Sequence, residues 1–241
     1  MRLIITKNYE EMSKVAANEM AESIKANPEI VLGLATGGTP VEMYKNLIKM
    51  YNDGELDFSK VTSINLDEYV GLPGDHDQSY RYFMNTNLFN HINIDKSRTF
   101  VPNGLAADVA EECKSYDARI QEMGGIDVQL LGLGANGHIG FNEPGEELSV
   151  GTHLTDLKES TIEANARFFD SIEDVPREAI TMGLGGIMKA KKIMVIASGE
   201  GKAEVVKAMM SGKITTEIPA TMLQMHSNVV LIVDEAAASL L

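Results

Sequence analysis

The sequence predicts an α/β fold: a single domain over residues 1–241, with a mostly parallel central sheet and helices on both faces. Three observations carry that expectation. Short apolar, β-rich runs alternate with amphipathic runs along the chain. Several of the apolar runs pass straight into glycine-rich turns, and no Pro/Ser-rich linker, low-complexity tract or repeated unit marks a boundary. At 241 residues and 44% hydrophobic composition, the chain can bury one sizeable core.

The elements follow in order. An apolar run at 3–6 reads as the first strand, and the charges spaced among apolar residues over 9–26 read as a helix that stops before Pro28. A strand at 30–35 leads into a helix at 41–52 closed by Gly54, then a strand at 61–66. Helices are expected at 79–89 and 107–123, the second closed by Gly124, followed by a strand at 128–133. Strands at 179–182, 193–197 and 229–233 and a helix at 202–210 complete the alternation, which is Rossmann-like. The stretch 144–176 fits it worst, and a lid-like excursion over the site is expected there, after the GFNEPG loop.

Composition excludes several classes of function. A formal charge of −14 and the lack of a basic stripe argue against nucleic acid and anionic membrane surfaces. No run approaches the roughly 18 consecutive apolar residues of a membrane span, and the start MRLIITKNYEEM lacks a secretory pattern, so a cytoplasmic protein is expected. One cysteine, Cys113, supports neither a disulfide framework nor a thiolate metal site.

Four strands run into glycine turns: Gly33 with Gly37 and Gly38, Gly132 with Gly134 and Gly137, Gly183 with Gly185 and Gly186, and Gly199 with Gly201. Parallel strands share one carboxyl edge, where open α/β sheets bind ligands, so the four turns are expected to converge. In LGLATGGTPVEMY, Thr36, Gly37, Gly38 and Thr39 precede Pro40, whose fixed φ suits a helix start. Glycine backbone N–H groups, threonine hydroxyls and a helix N-terminus together make a phosphate cradle, the dipole contributing roughly 0.3 to 1 kcal/mol. The bland alternative is a tight turn in which Thr39 and Glu42 form a capping box. A nucleotide P-loop is excluded, since GxxxxGK[ST] is absent.

Asp67 and Glu68 follow the strand ending at Leu66; only one of two adjacent side chains points inward, and Asp67 is the first candidate for a general base. In LLGLGANGHIGFNEPG, Gly132, Gly134 and Gly137 match the dinucleotide fingerprint GxGxxG, but Pro144 and Gly145 end any helix almost at once, which argues against nicotinamide binding. The loop instead brings His138 close in sequence to Asn136 and Glu143, an imidazole beside a carboxylate that can orient it. Arg167 and Lys202 are candidate partners for an anion.

Taken together, ATGGTP, NLDEYVGL, DQSYRYFM, LGLGANGHIGFNEPG and ARFF resemble the glucosamine-6-phosphate deaminases, over nearly the whole chain. The resemblance implies conversion of glucosamine 6-phosphate and water to fructose 6-phosphate and ammonia, with no metal or redox cofactor. It implies Asp67 as the base acting between C2 and C1, and His138, supported by Glu143 and Asn136, as the group that opens the pyranose ring. It implies a phosphate pocket of Thr36, Gly37, Gly38, Thr39, Arg167 and Lys202, in agreement with the reading of the residues themselves. Some relatives carry aspartate where Asn136 stands, which leaves charge stabilisation of an imidazolium to Glu143. Longer hexameric relatives respond to N-acetylglucosamine 6-phosphate through basic residues after the NEP motif and a tyrosine in a C-terminal tail. Here His153 and Thr155 stand at the basic positions and the chain stops at Leu241, so no such activation is expected. Two other functions compete: a 6-phosphogluconolactonase, which NLDEYVGL with GHIGFNEPG disfavours, and a sugar-phosphate sensor, which would bind without turnover. The sequence leaves monomer against homo-oligomer undecided.

Overall fold

The computed structural model describes residues 1–166 and 169–241. Strands β1 (Arg2–Thr6), β2 (Val31–Leu34), β3 (Thr62–Asn65), β5 (Thr99–Phe100), β6 (Val128–Gly132), β9 (Lys192–Ala197) and β10 (Val229–Asp234) form one sheet in the order β1-β10-β9-β6-β2-β3-β5. Every pairing in it is parallel. Residues on both faces of β2, β3 and β10 are buried, the signature of a parallel sheet covered on both sides.

The helices are α1 (Tyr9–Ala26), α2 (Val41–Asn52), α3 (Tyr80–Asn87), α4 (Val109–Glu122), α5 (Glu159–Asn165), α6 (Leu184–Met188) and α7 (Ala203–Met209). In α1, Met12, Ala16, Met20 and Ile24 recur every fourth residue and are buried, which makes the apolar stripe that seats the helix. Each of its two fully buried methionines contributes about 1.5–3 kcal/mol of apolar burial. Asn8 caps α1 by accepting the Glu11 N–H at 2.9 Å. Gly33 makes room for a neighbouring side chain: an added Cβ would lie 2.1 Å from Oε1 of the buried Gln129, its partner across the β2/β6 pairing, which would have to shift. Among the described residues, no helix is long and apolar enough to cross a membrane.

The structure corrects one expected strand. The run at 179–182 is strand β8 (Glu178–Thr181), and it lies outside the large sheet, antiparallel between β4 (Asp67–Tyr69) and β7 (His153–Asp156). The turn at Gly183, Gly185 and Gly186 therefore does not join the other three. It packs on the backbone of Val150 and Gly151, where a Cβ on Gly183 would meet the Gly151 carbonyl at 2.2 Å. An apolar run shows that a strand is buried but not which sheet takes it.

The two sheets meet at Leu66. Its N–H donates to the Leu34 carbonyl of β2 and its own carbonyl accepts from Met182 N–H, so the chain passes from β3 into β4 across one residue. Behind the small sheet, Tyr69, Phe141, Leu157, Ile162, Val175 and Ala179 form a second apolar cluster, separate from the main core.

Candidate active site

From β2 the chain proceeds by α2 to β3, on one side; from β6 it reaches β9, on the other. The carboxyl ends of β2 and β6 therefore flank the point where strand order reverses, the place at which open α/β sheets leave a crevice. A cavity of about 510 Å³ lies there. It is lined by Ala35–Thr39 after β2, Leu66 and Asp67 after β3, the Gly132–His138 loop after β6, and Lys202 before α7. Tyr80 of α3 and Thr161 and Asn165 of α5 close it.

The Thr36–Thr39 turn is shaped by Gly37 at φ 87°, a left-handed conformation that favours glycine, and α2 begins immediately after Pro40. The capping-box alternative does not describe it. Glu42 N–H donates to the Tyr9 hydroxyl at 3.3 Å, and that hydroxyl sits 3.1 Å from the carbonyls of Gly38 and Thr39. Tyr9 of α1 thus braces the outer side of the turn.

Asp67 and Glu68 diverge as two adjacent strand residues must. Asp67 faces the cavity and is only 6% exposed. Burial, with the Glu68 charge beside it, pushes its pKa up to about 8. The Glu68 carboxylate points away and accepts the backbone N–H groups of Tyr69, Tyr80 and Arg81 at 2.8 to 2.9 Å, tying β4 to the first turn of α3. Burial raises its pKa too, against those three hydrogen bonds. Tyr80, held at the helix start, stacks on Phe141 with ring centroids 6.0 Å apart and planes 17° from parallel.

In the loop after β6, Gly134 lies against the His138 ring: an added Cβ would sit 2.5 Å from three ring atoms. The Asn136 side chain works in both directions. Its Oδ1 accepts the His138 N–H at 3.1 Å, and its Nδ2 donates to Glu143 Oε2 at 2.8 Å. His138 Nδ1 is buried and faces the same Oε2 at 3.4 Å, long for a hydrogen bond but within ion-pair reach. Thr161 Oγ1 donates to Glu143 Oε1 at 2.5 Å. Burial pushes the Glu143 pKa up, but His138, Thr161 and Asn136 together hold it below the usual value. Glu143 is a carboxylate standing behind the imidazole, and it is the ring that lines the cavity.

Of the residues singled out in the sequence, Thr36, Gly37, Gly38, Thr39, Asp67, Asn136, His138 and Lys202 line one cavity, with Glu143 in contact behind it. Arg167 lies outside the described residues. Sequence reasoning missed Tyr80, Thr161 and Asn165. The last two are four residues apart on α5 and so share a face, a spacing that any helix offers and that singles out neither.

The family of glucosamine-6-phosphate isomerases and 6-phosphogluconolactonases matches residues 6–232. A glucosamine-6-phosphate deaminase of Clostridium perfringens is 89% identical over all 241 residues, covering 100% of both chains. The solved structure of a monomeric glucosamine-6-phosphate deaminase superposes with a TM-score of 0.98 at 46% identity, again over 100% of both chains. The 6-phosphogluconolactonase of Trypanosoma brucei shares the fold at TM-score 0.78 but only 19% identity, over 99% of this chain and 97% of its own. This chain belongs to the glucosamine-6-phosphate isomerase/6-phosphogluconolactonase family.

Proposed function

We propose that the protein is a glucosamine-6-phosphate deaminase, converting glucosamine 6-phosphate and water to fructose 6-phosphate and ammonia, with residues 1–241 acting as one catalytic unit. The observation that carries this reading is the placement of Asp67 and His138 on one cavity whose floor is the Thr36–Thr39 turn. The 89% identity to a deaminase, against 19% to a lactonase, favours deamination over lactone hydrolysis.

The phosphate sits on the backbone N–H groups and hydroxyls of Thr36–Thr39 at the start of α2, with Lys202 lining the same cavity and Arg167 as a further cationic partner. This local positive site overcomes a chain charge of −14. With Nδ1 turned to Glu143, the Nε2 atom of His138 is left for the sugar. It takes the proton of the ring hydroxyl and returns one to the ring oxygen, opening the pyranose to the aldehyde form. While the ring carries the proton, Glu143 stabilises the imidazolium.

Asp67 then removes the C2 proton and delivers a proton to C1, converting the open-chain amino aldose to the imine of fructose 6-phosphate. Water adds to that imine at C2, and ammonia leaves. A base must be ionised to accept a proton, and burial with the Glu68 charge beside it holds Asp67 near pKa 8. A substrate ammonium at C2 lies beside the carboxylate and favours its charged form.

The test measures ammonia and fructose 6-phosphate released from glucosamine 6-phosphate, beside hydrolysis of 6-phosphogluconolactone. Both products from the first substrate and no hydrolysis of the second are expected. Absence of ammonia defeats the proposal, and binding without turnover would make the chain a sensor. Similarity to a deaminase described as monomeric leads us to expect a single-chain mass by light scattering, with or without substrate.

A further inference from the structure

We propose that Thr161 is a positioning residue for ring opening: its hydroxyl fixes the Glu143 carboxylate that orients His138. The inference rests on the deaminase reading and deepens it. A carboxylate that steers an imidazole must present one oxygen to the ring and cannot rotate. In this site Oε2 faces His138 Nδ1 at 3.4 Å and accepts from Asn136 at 2.8 Å, both on the same loop. The other oxygen, Oε1, is held from a different part of the chain, by Thr161 Oγ1 at 2.5 Å. One loop alone leaves the carboxylate free to swing about its last bond; a second anchor from α5 stops it.

The position of that anchor is itself fixed. Thr161 is 4% exposed, and the next residue, Ile162, is buried in the small cluster with Tyr69 and Phe141. One helical turn on, Asn165 Nδ2 donates to the Tyr69 hydroxyl at 2.8 Å. Three successive contacts on one face thus register α5 against β4 and the 138–143 loop. Removing the hydroxyl leaves a buried carboxylate oxygen without its donor, a condition that costs more than the hydrogen bond itself contributes.

The experiment compares wild type, Thr161→Val, Thr161→Ser, Glu143→Gln and the Thr161→Val/Glu143→Gln double variant on glucosamine 6-phosphate. Thr161→Val, which keeps the shape, should lower kcat roughly tenfold or more while KM stays within about threefold. Thr161→Ser should recover most of the loss. The double variant should be no slower than Glu143→Gln alone, because the hydroxyl acts only through the carboxylate. Thr161→Ala serves in place of Thr161→Val if the latter does not fold. An unchanged kcat in the hydroxyl-less variant, a serine variant as slow as it, or losses that add in the double variant each overturn the proposal. A wild type that releases no ammonia overturns the deaminase reading, and this inference with it.

Discussion

The Thr36–Thr39 turn follows β2, buried on both faces in the seven-stranded sheet, and Asp67 opens β4 one residue beyond β3 of that sheet, whereas Thr161 and Asn165 come from a seven-residue helix seated on a small satellite cluster. The sheet residues are held by continuous ladders of backbone hydrogen bonds, through to Leu66 beside Asp67. Among the described residues, α5 is anchored by the side-chain hydrogen bonds of Thr161 and Asn165 and by the buried Ile162. Local stability follows such differences, central strands opening only with the whole fold. Asp67, the proposed base, thus stands against the rigid wall that ends in Leu66, and Thr161 and Asn165 reach the cavity from α5.

Loss of the proposed base and loss of the proposed phosphate partner should fail in different ways. Asp67→Asn should cut turnover by at least about 100-fold with little change in KM, since it removes a proton carrier and leaves the pocket shape. Arg167→Ala should raise KM roughly ten- to hundredfold with kcat largely kept, because the phosphate is held alike in ground and transition states. Steady-state kinetics on glucosamine 6-phosphate separate the two. A pure kcat defect in the arginine variant, or a pure KM defect in the asparagine variant, would erase the division of labour.

The contrast also marks what the sequence shows. Strands ending in glycine turns, and the acidic residue after Leu66, were legible because a parallel sheet puts all its carboxyl ends on one edge; knowing the edge places Asp67, Thr36–Thr39 and His138 without coordinates. Helices α1 and α2 begin and end as their apolar spacing and flanking Pro28 and Gly54 predict. The small sheet was not legible. Strands β4 and β7 are three and four residues long, too short for a period, and β8 reads like a core strand because it is buried on both sides by other means. Thr161 gave no signal of its own, since a threonine in a short helix carries no chemistry until a carboxylate 18 residues away folds onto it.

The pH profile sharpens the picture of the rigid wall. With Asp67 near pKa 8 in the free protein, the carboxylate that can accept a proton is the minor form at pH 6 and the major form at pH 9. kcat/KM, which reports the free enzyme, should therefore climb with pH, pass half its maximum near 8 and level off above it, once corrected for the titration of the substrate amine measured in the same buffers. A plateau extending down to pH 5 would mean that Asp67 is not the limiting base, or that the cavity does not desolvate it.

The same burial predicts a smaller effect on stability, opposite in sign to the effect on activity. Unfolded, Asp67 loses its proton near 3.8; folded, near 8. Between those values the folded state binds more protons than the unfolded one, so this residue's contribution to stability falls as pH rises through the window and levels off above 8. Asparagine has no charge to desolvate. Asp67→Asn should therefore melt close to wild type at pH 4 and above it at pH 8 to 9, by at least about 2 °C, the shift expected of ~1 kcal/mol in a chain of this size. The residue most costly to lose for turnover would then be one whose loss stabilises the fold, which is the mark of a group kept buried for its chemistry. Equal melting temperatures across pH 4 to 9 would show instead that the rigid wall carries its carboxylate at no cost.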